Sequence, residues 1–306
     1  MVGGVRRRGP MLLTIEGGAN WLREKVAARA AFAAGKLGTS ELEAILFYVY
    51  ARRNKSDAPP YMPSIFQHIT VNAGLFPATS AAVDDWCEHM ITQVLPALDA
   101  VVEWNPSMPV EECDLFNATA PRSVRFPLRA LEPYYVPAAA RWSLVAPDDV
   151  AVVSPFARSI THQWTRIETV WSSDQIWSAI KPALHTIRAG YTPALAPSED
   201  AAWSADVRAG GWRAAVASVV ESVVASGARL ALIGCGALSL PIAAGLKARG
   251  VGAIHTGGAT QILFGVKGRR WATHDVICRF FNNAWVFPAH DEIPDGARAV
   301  EGACYW

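Results

Sequence analysis

Residues 229–271 read RLALIGCGALSLPIAAGLKARGVGAIHTGGATQILFGVKGRRW, and the punctuation of this stretch decides the fold. Leu230-Ala231-Leu232-Ile233 is a buried-type run that stops at Gly234-Cys235-Gly236. Leu240, Ala243 and Leu246 then recur at helical spacing until Gly250, and a second apolar run, Val251 to Ile254, stops at His255-Thr256-Gly257-Gly258. Strand, glycine turn, helix and strand make a βαβ unit, which requires a parallel sheet with helices packed on its faces. Parallel sheets bind ligands beyond the carboxyl ends of their strands, so the glycine turns mark the expected site.

Gly234, Gly236 and Ser239 spell G-x-G-x-x-S, close to the dinucleotide fingerprint. Such a turn at a helix start leaves backbone N–H groups for a phosphate, or merely lets the chain turn tightly. A dinucleotide or S-adenosylmethionine site also wants an acid at the end of the next strand to hold a ribose. Ile254-His255-Thr256 stand there, so an oxidoreductase or methyltransferase is disfavoured. Further on, Lys267, Arg269 and Arg270 are interleaved with glycine beside the strand ends. Arg and Lys complement phosphate oxygens, although such a cluster is also the usual composition of a solvated turn.

Upstream, residues 31–37 read as a short strand, and Val150-Ala151-Val152-Val153 as a buried one ending at Ser154. Ser40-Glu41-Leu42-Glu43 has the S-x-x-E form of a capping box, followed by Leu42, Ile45, Leu46 and Val49 on one helix face. Glu43 is then the partner of Ser40. Glu41 lies in the first turn, either at the ligand edge or simply complementing the helix dipole. Ser154 and Ser159 flank another strand-to-helix turn, where they face phosphate or sugar hydroxyls or only turn the chain. Residues 84–104 keep an apolar face and read as a long helix that Pro96 kinks or splits. Residues 131–135 read as the lead into another strand, and Glu111, Glu112 and Asp114 as an acidic, solvated turn.

The 306 residues include 28 Lys and Arg against 27 Asp and Glu, a net charge of +1 that provides no field for nucleic acid. Five scattered cysteines without CxxC spacing fit a reducing compartment, and we expect a cytoplasmic protein. Residues 1–11 read as a disordered start without an apolar segment after it, and residues 12–306 as a single α/β domain. The longest apolar run, Leu230 to Leu246, is interrupted by Gly234, Gly236, Pro241 and Gly245, so no membrane span is expected.

Two segments together resemble the GT-D glycosyltransferases, enzymes with a Rossmann-like fold that use a sugar nucleotide as donor. The family's early motif, R-[FY]-G-D-G-E-[LF], aligns with Lys36, Leu37, Gly38, Thr39, Ser40, Glu41 and Leu42. Gly38 and Glu41 agree with it, and Thr39 replaces the first acid. The later motif, a glycine turn, a helix and then A-[IV]-D-[IL]-G, is matched by Gly234, Gly236 and Gly257, with His255 in place of the Asp. The resemblance implies a Rossmann-like α/β fold with helices on both faces. It also implies a nucleotide-sugar donor and a glycan or other hydroxyl acceptor.

Glu41 and His255 become the catalytic candidates, with Asp291 a further possible base. Donor binding falls to Gly38, Thr39, Ser154, Ser159, Gly234, Gly236, Gly257, Gly258, Lys267 and Arg269. With both family acids replaced, no metal ligands are assigned and no cofactor is required. A divalent cation stays open only through Glu111-Glu112-Asp114 or Asp291-Glu292. A non-catalytic protein that binds nucleotide sugars or glycans is the alternative outside enzymes.

Overall fold

A computed structural model describes residues 12–196 and 203–306; the start expected to be disordered, residues 1–11, lies outside them. Seven parallel strands form one sheet: β1 (Ala33–Lys36), β2 (Ala100–Glu103), β3 (Val124–Pro127), β4 (Asp149–Ser154), β5 (Ala183–Arg188), β6 (Leu230–Ile233) and β7 (Gly252–His255). Their order across the sheet is β3-β2-β1-β7-β6-β4-β5. All four strands expected from the sequence are present. Connections leave β4 towards β5 and leave β6 in the opposite direction, towards β7, so neighbouring strands part at their carboxyl ends. That is the arrangement in which an open α/β sheet forms a crevice.

Period-two alternation builds the two faces. Ala33, Val101, Ala151, Val153, Ala231, Ile233 and Ala253 join one core cluster with Leu42, Ile45, Trp86, Trp212 and Leu246 from the helices covering that face. Ala34, Val102, Val150, Val152, Leu230, Leu232 and Ile254 join the other with Leu22, Ile160, Trp171 and Phe264. The small residues of β1 let it lie between β2 and β7, where the missing side chain of Gly35 leaves room for His255. Helices therefore cover both faces of a Rossmann-like sheet. Among the described residues no helix is long and apolar enough to cross a membrane.

Several local expectations are corrected. The helix expected over 84–104 is three pieces: Ser80–His89, a π-turn at Met90–Val94, and one turn at Leu95–Ala97 that contains Pro96. Beyond it the chain becomes β2, because Ala100-Val101-Val102 are small or β-branched and are fully buried on both faces. Residues 131–135 form 3-10 turns rather than a strand. Glu111, Glu112 and Asp114 sit in a helix, Pro109–Thr119, and Glu112 is buried. Ser40 does not cap its helix. Gly38 is the N-cap, and Glu43 instead reaches His68 Nδ1 at 2.9 Å.

Candidate functional site

The carboxyl ends of β1, β2, β4, β5, β6 and β7 open into one cavity of ≈ 500 Å³. Nine of the residues singled out in the sequence line it: Gly38, Thr39, Glu41, Ser154, Gly234, Gly236, His255, Gly257 and Gly258. Three do not. Ser159 is buried outside it, Arg269 is exposed to solvent, and Lys267 lies against the rings of Phe281 and Phe287 at 5.6 and 5.7 Å. The cation of that cluster that reaches the cavity is Arg270, which pairs with Glu301 and donates to the Tyr305 hydroxyl at 3.0 Å.

The glycine turn after β6 is tied to its own chain more than the sequence implied. Gly234 N–H donates to Val153 O (2.9 Å), Cys235 N–H to Ser239 Oγ (3.0 Å) and Ala237 N–H to Ala73 O (2.8 Å). Gly236 has φ +61°, and a Cβ there would lie 2.2 Å from Ala73 O. Glycine is therefore required for packing as well as for approach to a ligand, and Gly236→Val would disturb the fold before it blocked a phosphate. Burial pushes the Cys235 thiol up to about 12, so the cysteine of this turn is not a thiolate nucleophile.

On the β1 side the groups are less committed. Glu41 folds back over Gly38, whose absent Cβ would meet its Oε2, and the residue is only 8% exposed. Burial raises its carboxyl above the ordinary 4.5, against the opposing pull of Lys36 and of its own backbone amide. Lys36, the last residue of β1, extends over Trp104 with Nζ 4.2 Å from the ring centroid. Burial lowers its pKa, Glu41 opposes that shift, and Arg270 adds to it. Lys36 thus feels both the Glu41 carboxyl and the Arg270 guanidinium.

His255 Nδ1 lies 3.0 Å from Ile233 O. A carbonyl only accepts, so Nδ1 carries the proton and Nε2 is the bare nitrogen. Burial, with the Lys36 charge, pushes this histidine down to about 3. At neutral pH it is an uncharged hydrogen-bond acceptor and a weak base. Thr39 donates its hydroxyl to Asn105 Oδ1 (2.8 Å), and Asn105 is pinned by the buried Glu112 through its side-chain amide and its backbone N–H. Glu112 is committed to the turn after β2, which it shapes around Trp104.

Asp291 is removed from the list of bases: it pairs with Arg158 at 2.8 Å on the surface and does not line the cavity. Its neighbour Glu292 explains Ser159. Glu292 accepts from Arg158 N–H (2.7 Å), Ser159 N–H (3.1 Å) and Ala289 N–H (3.2 Å), and from the Ser159 hydroxyl. The helix N-terminus after β4 is therefore filled by the protein's own carboxylate. Ser154, though at the cavity wall, also accepts from Phe156 N–H (3.1 Å), which makes it a turn residue as well.

The sequence reading missed the aromatic wall. Phe156, Tyr191 and Trp306 line one end of the cavity, opposite Lys36 and Trp104 in sheet order. Tyr191 and Trp306 both donate to Glu292 O, at 3.0 and 3.1 Å, and their rings lie 5.8 Å apart. Recognising β2 and β5 would have found Trp104 and Tyr191, since each follows the end of one of those strands. The arrangement offers Lys36, Arg270 and the Glu41 carboxyl in one cavity that also carries a wall of rigid rings. No protein-family model, curated protein or solved structure matches the chain.

Proposed function

We propose that the cavity binds a nucleotide-diphosphate sugar and that the protein is a glycosyltransferase of the GT-D type. The observation that carries this reading is that a carboxyl, Glu41, and two cations, Lys36 and Arg270, line one cavity of ≈ 500 Å³ at the ligand edge of a parallel sheet. That volume falls within the roughly 300–1,000 Å³ usual for small-molecule sites. Resemblance of residues 36–42 and of the glycine turns to the family's motifs supports the same assignment. His255 at the end of β7 leaves no acid for a dinucleotide or S-adenosylmethionine ribose, which argues against those ligands.

In this reading the diphosphate lies against Lys36 and Arg270, and the nucleobase against the aromatic wall. An acceptor hydroxyl attacks the anomeric carbon of the sugar while the bond to the diphosphate oxygen breaks. Glu41 takes the hydroxyl proton, and the departing diphosphate keeps the electron pair, stabilised by the cations. A carboxyl raised towards neutrality is a more effective base than an ordinary one, provided it is ionised at the working pH.

The test is a ligand panel read as thermal stabilisation: UDP-, GDP- and dTDP-sugars against NAD(P) and S-adenosylmethionine. A nucleotide sugar should raise the melting temperature and then release its nucleotide when an acceptor is supplied. Stabilisation by NAD(P) or S-adenosylmethionine alone would reject the assignment. Binding of a nucleotide sugar without turnover over an acceptor panel would make this a binding protein.

A further inference from the structure

We infer that Lys36, with Arg270 lining the same cavity, is a resident counter-charge for a diphosphate and takes the place a divalent metal holds in related chemistry. The inference rests on the cavity assigned above and extends it to the means of anion binding.

The residues present do not fit a metal. Of the two positions where the family resemblance places acids, Thr39 gives its hydroxyl to Asn105 and His255 is a neutral imidazole. Glu41 alone is a poor ligand set for magnesium or manganese, which are bound through carboxylate and phosphate oxygens. The Lys36 ammonium acts on both Glu41 and His255, so a divalent ion between those two would be set against a resident positive charge.

Lys36 is instead placed as a ligand group. Its Nζ rests on the Trp104 face, and Trp104 is fixed by its Nε1–H donating to Leu37 O at 2.5 Å. On the other side the chain gives way. Gly257, at φ +59°, has no side chain where a Cβ would lie 3.0 Å from Lys36 Cε and 3.5 Å from Nζ. Lys247 and Lys181 each have a carboxylate partner, at 2.8 and 3.2 Å, but among the described residues Lys36 has none within ion-pair distance. A desolvated cation without a counter-ion is costly, and a second cation, Arg270, faces the same space. An anion would supply the counter-charge that Lys36 lacks, and a diphosphate offers it several oxygens, while Arg270, already paired with Glu301, lines the same cavity.

Inorganic pyrophosphate is the probe, titrated calorimetrically into the full chain in EDTA. The wild type should bind it. Lys36→Met should bind at least about ten-fold more weakly, and Lys36→Arg should keep most of the affinity. On the wild type alone, pyrophosphate should protect Lys36 from reductive methylation, read by peptide mass spectrometry, which keeps the test independent of how the variants fold. Pyrophosphate binding that requires added magnesium or manganese would overturn the inference. So would undiminished binding by a folded Lys36→Met, or no protection of Lys36. Because pyrophosphate has neither sugar nor base, these outcomes stand whether or not any nucleotide sugar binds.

Discussion

Glu292 and Glu41 are both buried carboxyls at helix N-termini on the same edge of the sheet, and they differ in what surrounds them. Glu292 is 2% exposed and accepts from three backbone N–H groups and a hydroxyl. Glu41 has only its own amide and the neighbouring charge of Lys36, and it lines the cavity. Glu41 stands at the start of its own helix and Glu292 at the start of a distant one, and the satisfaction of hydrogen bonds separates them. A carboxylate with its lone pairs filled holds structure, while one left short of donors, in a cleft beside cations, is available for chemistry.

The largest effect should come from breaking the filled site. Glu292→Ala leaves the helix N-terminus and the hydroxyl of Ser159 without their acceptor, and we expect a loss of about 3 kcal/mol in chemical denaturation. A loss below about 1 kcal/mol would show that the two carboxyls are not different in kind.

Glu41→Gln should do the reverse to stability while lowering turnover by roughly ten-fold or more, close to 1.4 kcal/mol of barrier. The Glu41 carboxyl is raised above 4.5 in the folded state. Its contribution to stability is fully present below the unfolded value and is lost as pH rises through the folded one. Gln mimics the protonated form, so the variant should be the more stable protein above that value. Reduced stability at pH 8 would place Glu41 among the structural acids.

His255 sharpens the comparison from the basic side. Its folded-state pKa is depressed from 6.5 to about 3, so its contribution is present above 6.5 and is lost as pH falls through that window. The wild type should lose stability relative to His255→Gln between pH 6.5 and 5, with a slope of at most about 1.4 kcal/mol per pH unit. Parallel curves would mean that the imidazole is solvated. The smallest effect should be that of Arg269→Ala, which removes a solvent-exposed cation outside the cavity. It should change stability by less than about 0.5 kcal/mol and leave pyrophosphate affinity unaltered. A clear loss of affinity would restore the basic cluster as an anion site.

The sheet was legible wherever an apolar run met a glycine or a polar stop, as at Ile233-Gly234, Ile254-His255 and Val153-Ser154. β2 was hidden because Leu98 and Val101 continue the helical spacing of the segment before them. β5 was hidden because it is an edge strand, with His185 paired to Asp149 and Thr186 to Thr161. Glu41 and His255 were legible from their places at strand ends. Lys36 as a ligand group, the Arg270 orientation and the aromatic wall were not. Strand order brings them together, and no local spacing encodes that order. The structural role of Glu292 was not legible, because Arg158 and Ser159 lie 134 and 133 residues away and they and Ala289 donate to it through backbone N–H groups, which no side-chain pattern marks.

The pairing of β1 with β7 sets a schedule for assembly. Ala33 lies against Ala253 and Gly35 against His255, so the first strand of the sheet finds one neighbour only after nearly the whole chain has been made. Lys36 and Glu41 emerge early in synthesis, and the strand that carries His255 comes late. On a ribosome the early half can pair β1 with β2 and β2 with β3, but it must wait with the other side of β1 open. Closure over so long a loop is slow, and the exposed edge invites other strands meanwhile. The cavity at the strand ends is then completed late, once β7 has closed against β1, and any ligand that fills it would report completed folding.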